Sequence, residues 1–510
     1  MTPSENETEN RLIIVSNRLP VTIARDKSGQ WQVSEGSGGL VTAMAPVLRD
    51  RGGLWIGWSG MANGDRETLK NLLDSTTEDT GYRFEPVILT EEEVDHFYKG
   101  FSNEILWPLF HDLQTRCNFD PAYWDAYQRV NRKFALCICD IIKARDHIWI
   151  HDYHLSLVGR ELRELGVYSK IGYFLHIPFP SPDLFFKLPW RFEILKGMLA
   201  YDLIGFQTLR DRRNFVQCLH LIYKGIVIRG RGKVLRTQID GREISIGCFP
   251  ISIDYEEFAK NAKSDAVRER AETIQKEMNV QHIVLGVDRL DYTKGIPERL
   301  AAFELALEQY PELQGNTSLL QLVVPSRVQI PKYMELQEKV EIQISKINGR
   351  FGRPGWMPVH YMFRAIDNRE LLAFYRAADI AFITPLKDGM NLVAKEYCAA
   401  NVDGNGVLIL SEFAGAKDQL HRGALLVNPY DIKAVAQALR QAVLMDLHQR
   451  KMRMQTLRKS IRRQDVYWWV DAFLEAVFVH KLKGFPRLTD HLEQRHLSYR
   501  QMESSYRHDE

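Results

Sequence analysis

Short apolar runs alternate with helical patterns along most of the chain, and this alternation limits the folds that are open to it. The runs predict strands at Leu12 to Val15, Ile148 to Ile150, Gly172 to Leu175, Leu203 to Phe206, Ile283 to Val287, Leu319 to Val324, Ile380 to Thr384 and Val407 to Leu410. Strands that alternate with helices form parallel sheets with right-handed crossovers. The sequence therefore predicts the α/β class, with two doubly wound, Rossmann-like domains facing each other across a cleft.

The pattern pauses around Pro250 to Asp254, before a charged helix predicted at Tyr255 to Met278, and we place the domain boundary there. A length of 510 residues suits two domains of about 250 residues each. We predict a disordered N-terminus at 1–10, Rossmann-like domains at 11–253 and 254–480, a final aromatic helix at 465–478 that is able to pack back on the N-terminal domain, and a polar tail at 481–510.

Composition narrows the class of protein. The 67 basic and 65 acidic residues give a net charge of +2, so neither nucleic acid nor a membrane surface is an expected partner. The N-terminus is polar and acidic, unlike a signal peptide, and no apolar stretch approaches the roughly 20 residues of a membrane helix. Six cysteines are few for this length, and we expect them reduced and mostly buried in a cytoplasmic protein.

Two segments about a hundred residues apart carry most of the functional signal. GVDRLDYTKG, Gly286 to Gly295, offers the cations Arg289 and Lys294 to an anion. An arginine suits a fork of two oxygens, and a lysine acts as a point charge, as the two ends of a diphosphate require. The alternatives are a pair of ordinary surface cations or, for Lys294, a Schiff-base lysine, to which an exposed glycine-rich turn is poorly suited.

The second segment, PLKDGMNLVAKE, places a glycine at the start of a helix. Free backbone N–H groups in Asp388-Gly389-Met390-Asn391-Leu392 are able to bind sugar hydroxyls or phosphate. Asp388 is a candidate acceptor for hydroxyls of a transferred sugar, and Glu396 for a pair of ribose hydroxyls. With the first segment, this predicts a nucleotide-sugar pocket. The alternative for Asp388 alone is a helix N-cap.

Polar side chains also follow the predicted strands in both halves. They are Arg18, Asp152, His176, Arg289, Arg327 and Asp388. Ligands of doubly wound sheets bind outside the carboxyl ends of the strands, so these residues are expected to line the cleft. His176 and Asp152, at neighbouring strand ends, are candidates to contact the reacting sugar, whereas His151 and His154 are expected to brace the turn.

A second anion site is predicted between the halves. Arg18 and Arg327 lie one in each predicted domain and are able to hold a sugar phosphate between them. Tyr98 and Trp107 are candidates to supply aromatic faces to that sugar, although core packing is the simpler explanation for both.

The glycine turn before the first predicted helix is a weaker signal. Gly38 and Gly39 are candidates to point their N–H groups into the cleft, but residues 36 to 41 read GSGGLV, which is not the dinucleotide fingerprint. No D-x-D sequence is present to hold a divalent cation on a diphosphate. We therefore expect no metal and no cofactor, with Arg289 and Lys294 in the metal's place.

Taken together, the runs SNRLPV, HDYHL, FLHIPFPSP, RLDYTKG and DGMNLVAKEY resemble the trehalose-6-phosphate synthases, retaining glucosyltransferases of family 20 with the two-Rossmann-domain (GT-B) fold. The resemblance covers roughly Leu12 to Phe478. It implies a donor site at Gly38, Gly39, His176, Arg289, Lys294, Ile366, Asp388, Met390, Asn391, Leu392 and Glu396. It implies an acceptor site at Arg18, Tyr98, Trp107 and Arg327, with Asp152 between the two sugars.

The resemblance also implies a reaction, in which glucose passes from a nucleotide-glucose, most readily UDP-glucose, to glucose 6-phosphate. The nucleotide-sugar is a substrate and not a cofactor. A separate phosphatase would act downstream, since the chain lacks D-x-D-x-T, and a homo-oligomer is compatible with the sequence. Two alternatives stay open: an enzyme of the same fold with another sugar- or polyol-phosphate acceptor, and a non-catalytic subunit that senses sugar phosphates.

Overall fold

The computed structural model of the protein describes residues 11–25, 31–36, 39–51, 53–75, 82–326 and 331–478. Four predictions concern residues outside these ranges: the N-terminus at 1–10, the tail at 481–510, Gly38 and Arg327. The described strands are, in chain order, β1 Leu12–Arg18, β2 Val21–Arg25, β3 Trp31–Glu35, β4 Leu54–Ala62, β5 Arg83–Leu89, β6 His147–His151, β7 Ile171–Leu175, β8 Leu203–Phe206, β9 Ile228–Arg229, β10 Val234–Ile239, β11 Arg242–Cys248, β12 His282–Arg289, β13 Thr317–Val324, β14 Val359–Phe363, β15 Ile380–Ile383, β16 Val407–Ser411 and β17 Leu425–Val427.

A 13-residue π-helix spans Val94–Leu106. The longer described α-helices surround the strands. They are α1 Gly39–Arg51, α2 Arg66–Asp74, α3 Pro121–Ile141, α4 Val158–Glu164, α5 Arg191–Met198, α6 Leu209–Ile222, α7 Tyr255–Ala262, α8 Asp265–Met278, α9 Ile296–Gln309, α10 Pro331–Phe351, α11 Asn368–Ala377, α12 Leu392–Ala400, α13 Ile432–Leu444, α14 Leu447–Arg463 and α15 Val466–Phe478. The single helix predicted at Tyr255 to Met278 is wrong, because the backbone is extended at Ser264, which precedes a new helix at Asp265.

Each half contains the Rossmann strand order. In the second half the described strands form a six-stranded sheet in the order β14-β13-β12-β15-β16-β17, and every pair is parallel. In the first half β5-β4-β1-β6-β7-β8 repeats the same 3-2-1-4-5-6 arrangement, again with parallel pairs. This order is that of doubly wound dinucleotide-type folds and confirms the predicted fold class.

The first sheet has an antiparallel end that the sequence analysis missed. Strand β11 is parallel to β8, but β10 pairs antiparallel with both β11 and β9. Asp240 and Gly241 join β10 to β11 with φ angles of 50° and 76°, as a two-residue hairpin turn requires. The predicted parallel pairing therefore does not extend to this end of the sheet, and the Asp-Gly pair was the sequence signal for the hairpin.

Strand ends extend beyond the predicted apolar cores. Strand β1 continues through Ser16 and Asn17 to Arg18, and β12 continues to Arg289. A register irregularity separates Val15 from Arg18 in the pairing with β4. Polar residues at the ends of buried strands keep the ladder hydrogen bonds while their side chains reach the sheet edge.

The last described helix, α15, packs against strands of the first sheet. The ring of Phe473 stacks on Trp149 with centroids 4.2 Å apart. Gly172 and Gly205 make room for it, since an added Cβ would lie 2.6 Å or 2.8 Å from the Phe473 ring. Glycine in two neighbouring strands thus forms a slot for one aromatic side chain.

No described helix combines the length and the apolar character needed to cross a bilayer. The six cysteines are free thiols, and four of them are buried, as predicted.

Candidate active site

The predicted site residues lie at the topological switch point of each sheet. In the first sheet β1 and β6 are the neighbours from which the strand order runs in opposite directions, and Arg18 ends β1 while Asp152 follows β6. In the second sheet β12 and β15 have this role, and Arg289 ends β12. Doubly wound sheets bind their ligands at such a point.

The loop after β15 is joined to the turn after β12 by an ion pair. Lys294 Nζ donates to Asp388 Oδ2 at 2.5 Å, and the two side chains are only 13% and 11% exposed. Burial acts to raise the pKa of Asp388, but Lys294 and the Asn391 amide outweigh it and hold the pKa below its ordinary value. The carboxylate is therefore charged at neutral pH.

The N-cap reading of Asp388 is wrong. The N-cap of α12 is Asn391, whose backbone has a φ of 57° and whose side-chain oxygen accepts from Ala394 N–H at 3.2 Å. Asp388 instead accepts from the Met390 N–H at 3.3 Å and the Asn391 amide at 3.1 Å. An asparagine tolerates this left-handed backbone better than most residues, and it shapes the loop so that the carboxylate turns toward Lys294.

The turn that carries Lys294 is held by a buried ion pair between α9 and β12 that the sequence analysis missed. Arg299 is fully buried in α9 and pairs with Asp288 of β12. It also donates to Thr384 Oγ1 at 3.1 Å and to the carbonyl of Lys294 at 3.3 Å. This buried pair, with its two further hydrogen bonds, holds the two loops in register. The only sequence signal was a charged residue inside an otherwise apolar strand.

The two halves touch through glycines. An added Cβ on Gly389 would lie 2.1 Å from the carbonyl oxygen of His176, so only glycine allows this loop to lie on the end of β7. An added Cβ on Gly39 would lie 3.1 Å from Leu392 Cδ1 and 3.5 Å from Met390 Cε. The start of α1 is therefore close to the loop that was predicted to bind the donor.

His176 connects the two sheets. It follows β7, is almost fully buried, and places Nδ1 3.2 Å from Met390 Sδ. Its Nε2 lies 3.0 Å from Nδ1 of His151. Burial lowers the pKa of His176 to about 3, so the imidazole is neutral at physiological pH.

Asp152 adopts a backbone conformation that non-glycine residues rarely take. Its φ of 75° and ψ of 166° fall in a region that is almost confined to glycine. Its Oδ1 accepts from the N–H of His176 at 3.2 Å. Burial raises its pKa to about 6, although backbone N–H groups and the charge of Arg289 act to lower it. Strain and a raised pKa at one residue are typical of a functional site.

The predicted acceptor side is only partly described. The Arg18 guanidinium carbon lies 4.7 Å from the centre of the Trp58 ring, beside Gly60, and the Tyr98 ring is 5.7 Å from the same tryptophan. Trp107 is 7% exposed and packs in the core, so the packing explanation holds for most of its surface. Its predicted contact with the sugar, like that of Tyr98, stays a prediction.

The two residues predicted to contact the nucleoside lie in the second half. Glu396 is half-buried on α12 and accepts from the Tyr375 hydroxyl at 2.7 Å, and burial raises its pKa. Ile366 is partly buried in the segment between β14 and α11. Their roles in binding remain predictions.

An ion pair between the two halves had no sequence signal. Lys387 Nζ contacts Asp112 Oδ2 at 2.5 Å, across 275 positions of the chain. Lys387 is buried, and Asp112 has a left-handed backbone with φ 63°. The pair fixes the segment that follows Trp107 against the loop that carries Asp388.

The described residues contain no group of three or more His, Cys, Asp or Glu side chains placed to hold a metal ion. His147 and His151 have a four-residue spacing that suits a metal site on a helix, but they occupy the two ends of strand β6. On a strand this spacing separates them by about 13 Å, too far for one ion.

Comparison with known proteins identifies the family. The model of glycosyltransferase family 20 matches residues 10–478. The trehalose-6-phosphate synthase of Mycolicibacterium smegmatis is 42% identical over 470 residues, which cover 91% of this chain and 92% of the relative. The UDP-forming alpha,alpha-trehalose-phosphate synthase A of Dictyostelium discoideum is 38% identical over 92% of this chain and 63% of its own length.

Solved structures give the same result. An alpha,alpha-trehalose-phosphate synthase from Burkholderia xenovorans in complex with glucose-6-phosphate superposes with a TM-score of 0.82 at 34% identity, covering 92% of this chain and all of that one. The E. coli trehalose-6-phosphate structure bound with UDP-2-fluoro glucose has a TM-score of 0.81 at 36% identity and covers 92% and 99% of the two chains. With its two Rossmann-like sheets and these matches, the chain belongs to glycosyltransferase family 20.

Proposed function

We propose that this enzyme transfers glucose from UDP-glucose to the anomeric hydroxyl of glucose 6-phosphate, giving α,α-trehalose 6-phosphate and UDP. The observation that carries the proposal is the Lys294–Asp388 pair, in which a cation and a carboxylate lie together at the switch point of the second sheet. Arg289 adds a second cation at the end of β12. Family membership supports the choice of substrates.

The donor would lie against the second sheet. Arg289 and Lys294 bind the diphosphate, Glu396 the ribose hydroxyls, and the backbone near Ile366 the base. Asp388, Met390 and the N–H groups of Asn391 and Leu392 bind the glucosyl group, and Gly38 and Gly39 are proposed to add their own N–H groups.

The acceptor would lie against the first sheet. Arg18 and Arg327 bind the phosphate of glucose 6-phosphate, with Tyr98 and Trp107 around the sugar. Asp152, whose backbone angles are strained, would stand between the two sugars. A separate phosphatase would then act on the product.

The reaction breaks the bond between glucosyl C1 and the β-phosphate oxygen and forms a bond between C1 and the acceptor's anomeric oxygen. The acceptor proton passes to the departing phosphate oxygen on the same face, so the α configuration is retained. Negative charge grows on the diphosphate as the bond breaks. Stabilisation of that charge by Arg289 and Lys294 is expected to be the largest catalytic contribution.

The test is Lys294→Ala, assayed for UDP release and for the disaccharide phosphate by NMR. We expect kcat to fall about 10²–10³-fold, the usual cost of removing one group that stabilises developing charge. The exposed Lys346→Ala on α10 is the matched control and should keep the parent rate.

Near-normal turnover in Lys294→Ala would refute the assignment. A panel of ADP-glucose, GDP-glucose and other sugar or polyol phosphates identifies the substrates. Product from a different acceptor alone would replace glucose 6-phosphate, and binding without any product would favour a sensing subunit.

A further inference from the structure

Three side chains form a line from the first sheet to the loop that carries Asp388. His151 ends β6 and is fully buried, and its Nδ1 lies 3.0 Å from His176 Nε2. On the far side, His176 Nδ1 lies 3.2 Å from Met390 Sδ. His151 does not reach the cleft itself and acts through His176.

Both imidazoles are neutral at physiological pH. Burial lowers the pKa of His176 to about 3, and burial together with the neighbouring imidazole lowers that of His151 well below its ordinary value. A neutral imidazole carries one N–H, so a single proton lies in the bond between the two rings. Either His151 Nδ1–H donates to His176, or His176 Nε2–H donates to His151.

The surroundings of His151 favour the first arrangement. Its Nε2 is buried and has no hydrogen-bond partner in the described part of the chain. The rings of Trp149 and Trp469 lie 4.8 Å and 6.4 Å from it, and their indole Nε1 atoms are likewise buried and unpartnered among the described residues. Indole N–H groups only donate, so a proton on His151 Nε2 would add a third buried donor without a partner among the described residues.

The contact between His176 and Met390 also favours a proton on Nδ1 of His176. A thioether sulfur is a weak acceptor and has no hydrogen to donate. The atom of His176 that faces Met390 is Nδ1, at 3.2 Å. An N–H at this position makes a favourable contact with the sulfur, whereas a bare nitrogen would face it lone pair to lone pair.

We propose that His151 is a positioning residue that fixes His176 as its Nδ1–H tautomer. The partner on one ring nitrogen decides which nitrogen of a histidine is protonated. His176 then presents a donor, and not an acceptor, toward Met390 and toward a sugar hydroxyl oxygen bound at that loop. The identity of that ligand rests on the proposed function, but the tautomer does not.

Two variants separate this role from simple core packing. His151→Asn keeps an N–H donor close to the position of Nδ1, and His151→Leu fills the space without one. His147→Asn is the matched control, because His147 is a buried histidine at the opposite end of the same strand. The full chain is labelled with 15N-histidine, and the tautomer of His176 is determined by NMR without substrates at pH 8.

We expect the Nδ1–H tautomer in the parent, in His151→Asn and in His147→Asn, and a mixture of tautomers in His151→Leu. The kcat/KM for glucosyl transfer should fall about tenfold in His151→Leu, the loss expected for one hydrogen bond between neutral groups, and less in His151→Asn. An Nε2–H tautomer in the parent, or an unchanged tautomer in His151→Leu, would overturn the proposal.

The NMR result is independent of turnover. An Nδ1–H signal in a protein that makes no disaccharide phosphate would refute the proposed function and leave the tautomer inference standing. Normal turnover in a protein with the Nε2–H tautomer would support the proposed function and refute the tautomer inference. A merely structural role predicts equal losses of activity in both His151 variants, with the tautomer unchanged.

Discussion

Two largely buried carboxylates follow strands at the switch points of the two sheets, one in each half, and they are held in different ways. Asp388 accepts from Lys294 Nζ at 2.5 Å, whereas Asp152 accepts from the backbone N–H of His176 at 3.2 Å. Burial acts to raise the pKa of both. The pKa of Asp152 rises to about 6, while at Asp388 the lysine reverses the direction and the pKa falls below its ordinary value.

The difference shows that burial alone does not set the charge of a carboxylate. A cation at contact distance outweighs desolvation at Asp388, and the more distant Arg289 does not at Asp152. Asp388 therefore holds its charge through the working pH range. Asp152, with a pKa of about 6, loses its proton close to the working pH, as is common for groups that take part in chemistry.

Breaking the Lys294–Asp388 ion pair is expected to give the largest loss of stability. Asp388→Asn leaves Lys294 partly buried without its counter-ion, and we expect a loss of about 3 kcal/mol in the free energy of unfolding. Urea unfolding at pH 7 measures it. The matched control is Asp265→Asn, whose pair with Arg268 is exposed and should change stability by less than about 1 kcal/mol.

The sign of the pH dependence sharpens the contrast. The pKa of Asp388 is lowered on folding, so its stabilisation is present at neutral pH and is lost as the pH falls through the folded-state value. The pKa of Asp152 is raised, so its stabilisation is complete only below the ordinary value of 3.8 and is lost as the pH rises through about 6. A loss for Asp388→Asn that stays constant down to acid pH would contradict this account.

Relief of the backbone strain at Asp152 is expected to raise the stability of the protein, by less than the loss expected at Asp388. Asp152→Gly suits the φ of 75° and ψ of 166°, so we expect it to be about 1 kcal/mol more stable than Asp152→Ala, which keeps the strain. Both variants should lose glucosyl transfer, because both lack the carboxylate. Thermal unfolding at pH 7 compares them, and equal stabilities would show that the residue is not strained.

The smallest expected effect is that of Arg289 on the pKa of Asp152. Arg289→Gln removes a charge that lowers the pKa of Asp152, and we expect that pKa to rise by less than about one unit. Titration of 13C-labelled aspartate by NMR follows it directly, without relying on activity. Arg350→Gln, on the exposed side of α10, is the control and should leave the titration where it is. An unchanged pKa in Arg289→Gln would mean that Arg289 does not face Asp152.

The arrangement around His151 shows what a sequence leaves out. HDYHL and FLHIPFP placed His151, Asp152 and His176 at strand ends, and parallel pairing of β6 with β7 brings those ends together. Nothing in the two runs indicated that the two imidazoles touch, or that Met390 continues the line from 214 positions away. Such contacts depend on how the two sheets meet.

The local sequence pattern was sufficient to predict an element wherever its apolar residues form a regular run. Buried parallel strands are continuous apolar runs, so β8 was predicted with its observed bounds and the Rossmann class followed from alternation with helices. The Asp240-Gly241 hairpin was a local signal that was overlooked, and Ser264 divided a helix that charge patterning predicted as one.

The fold class and the positions of most strands followed from the amino-acid sequence, because strand periodicity and motif spacing are properties of neighbouring residues. Which side chains meet depends on the tertiary structure: Lys294 meets Asp388, Lys387 meets Asp112, and Arg299 meets Asp288. Those contacts hold the loops of the site together, and at Asp388 the contact with Lys294 keeps the pKa of the carboxyl below its ordinary value. A pKa depends on groups within a few ångströms, and distance in space does not follow from distance along the chain.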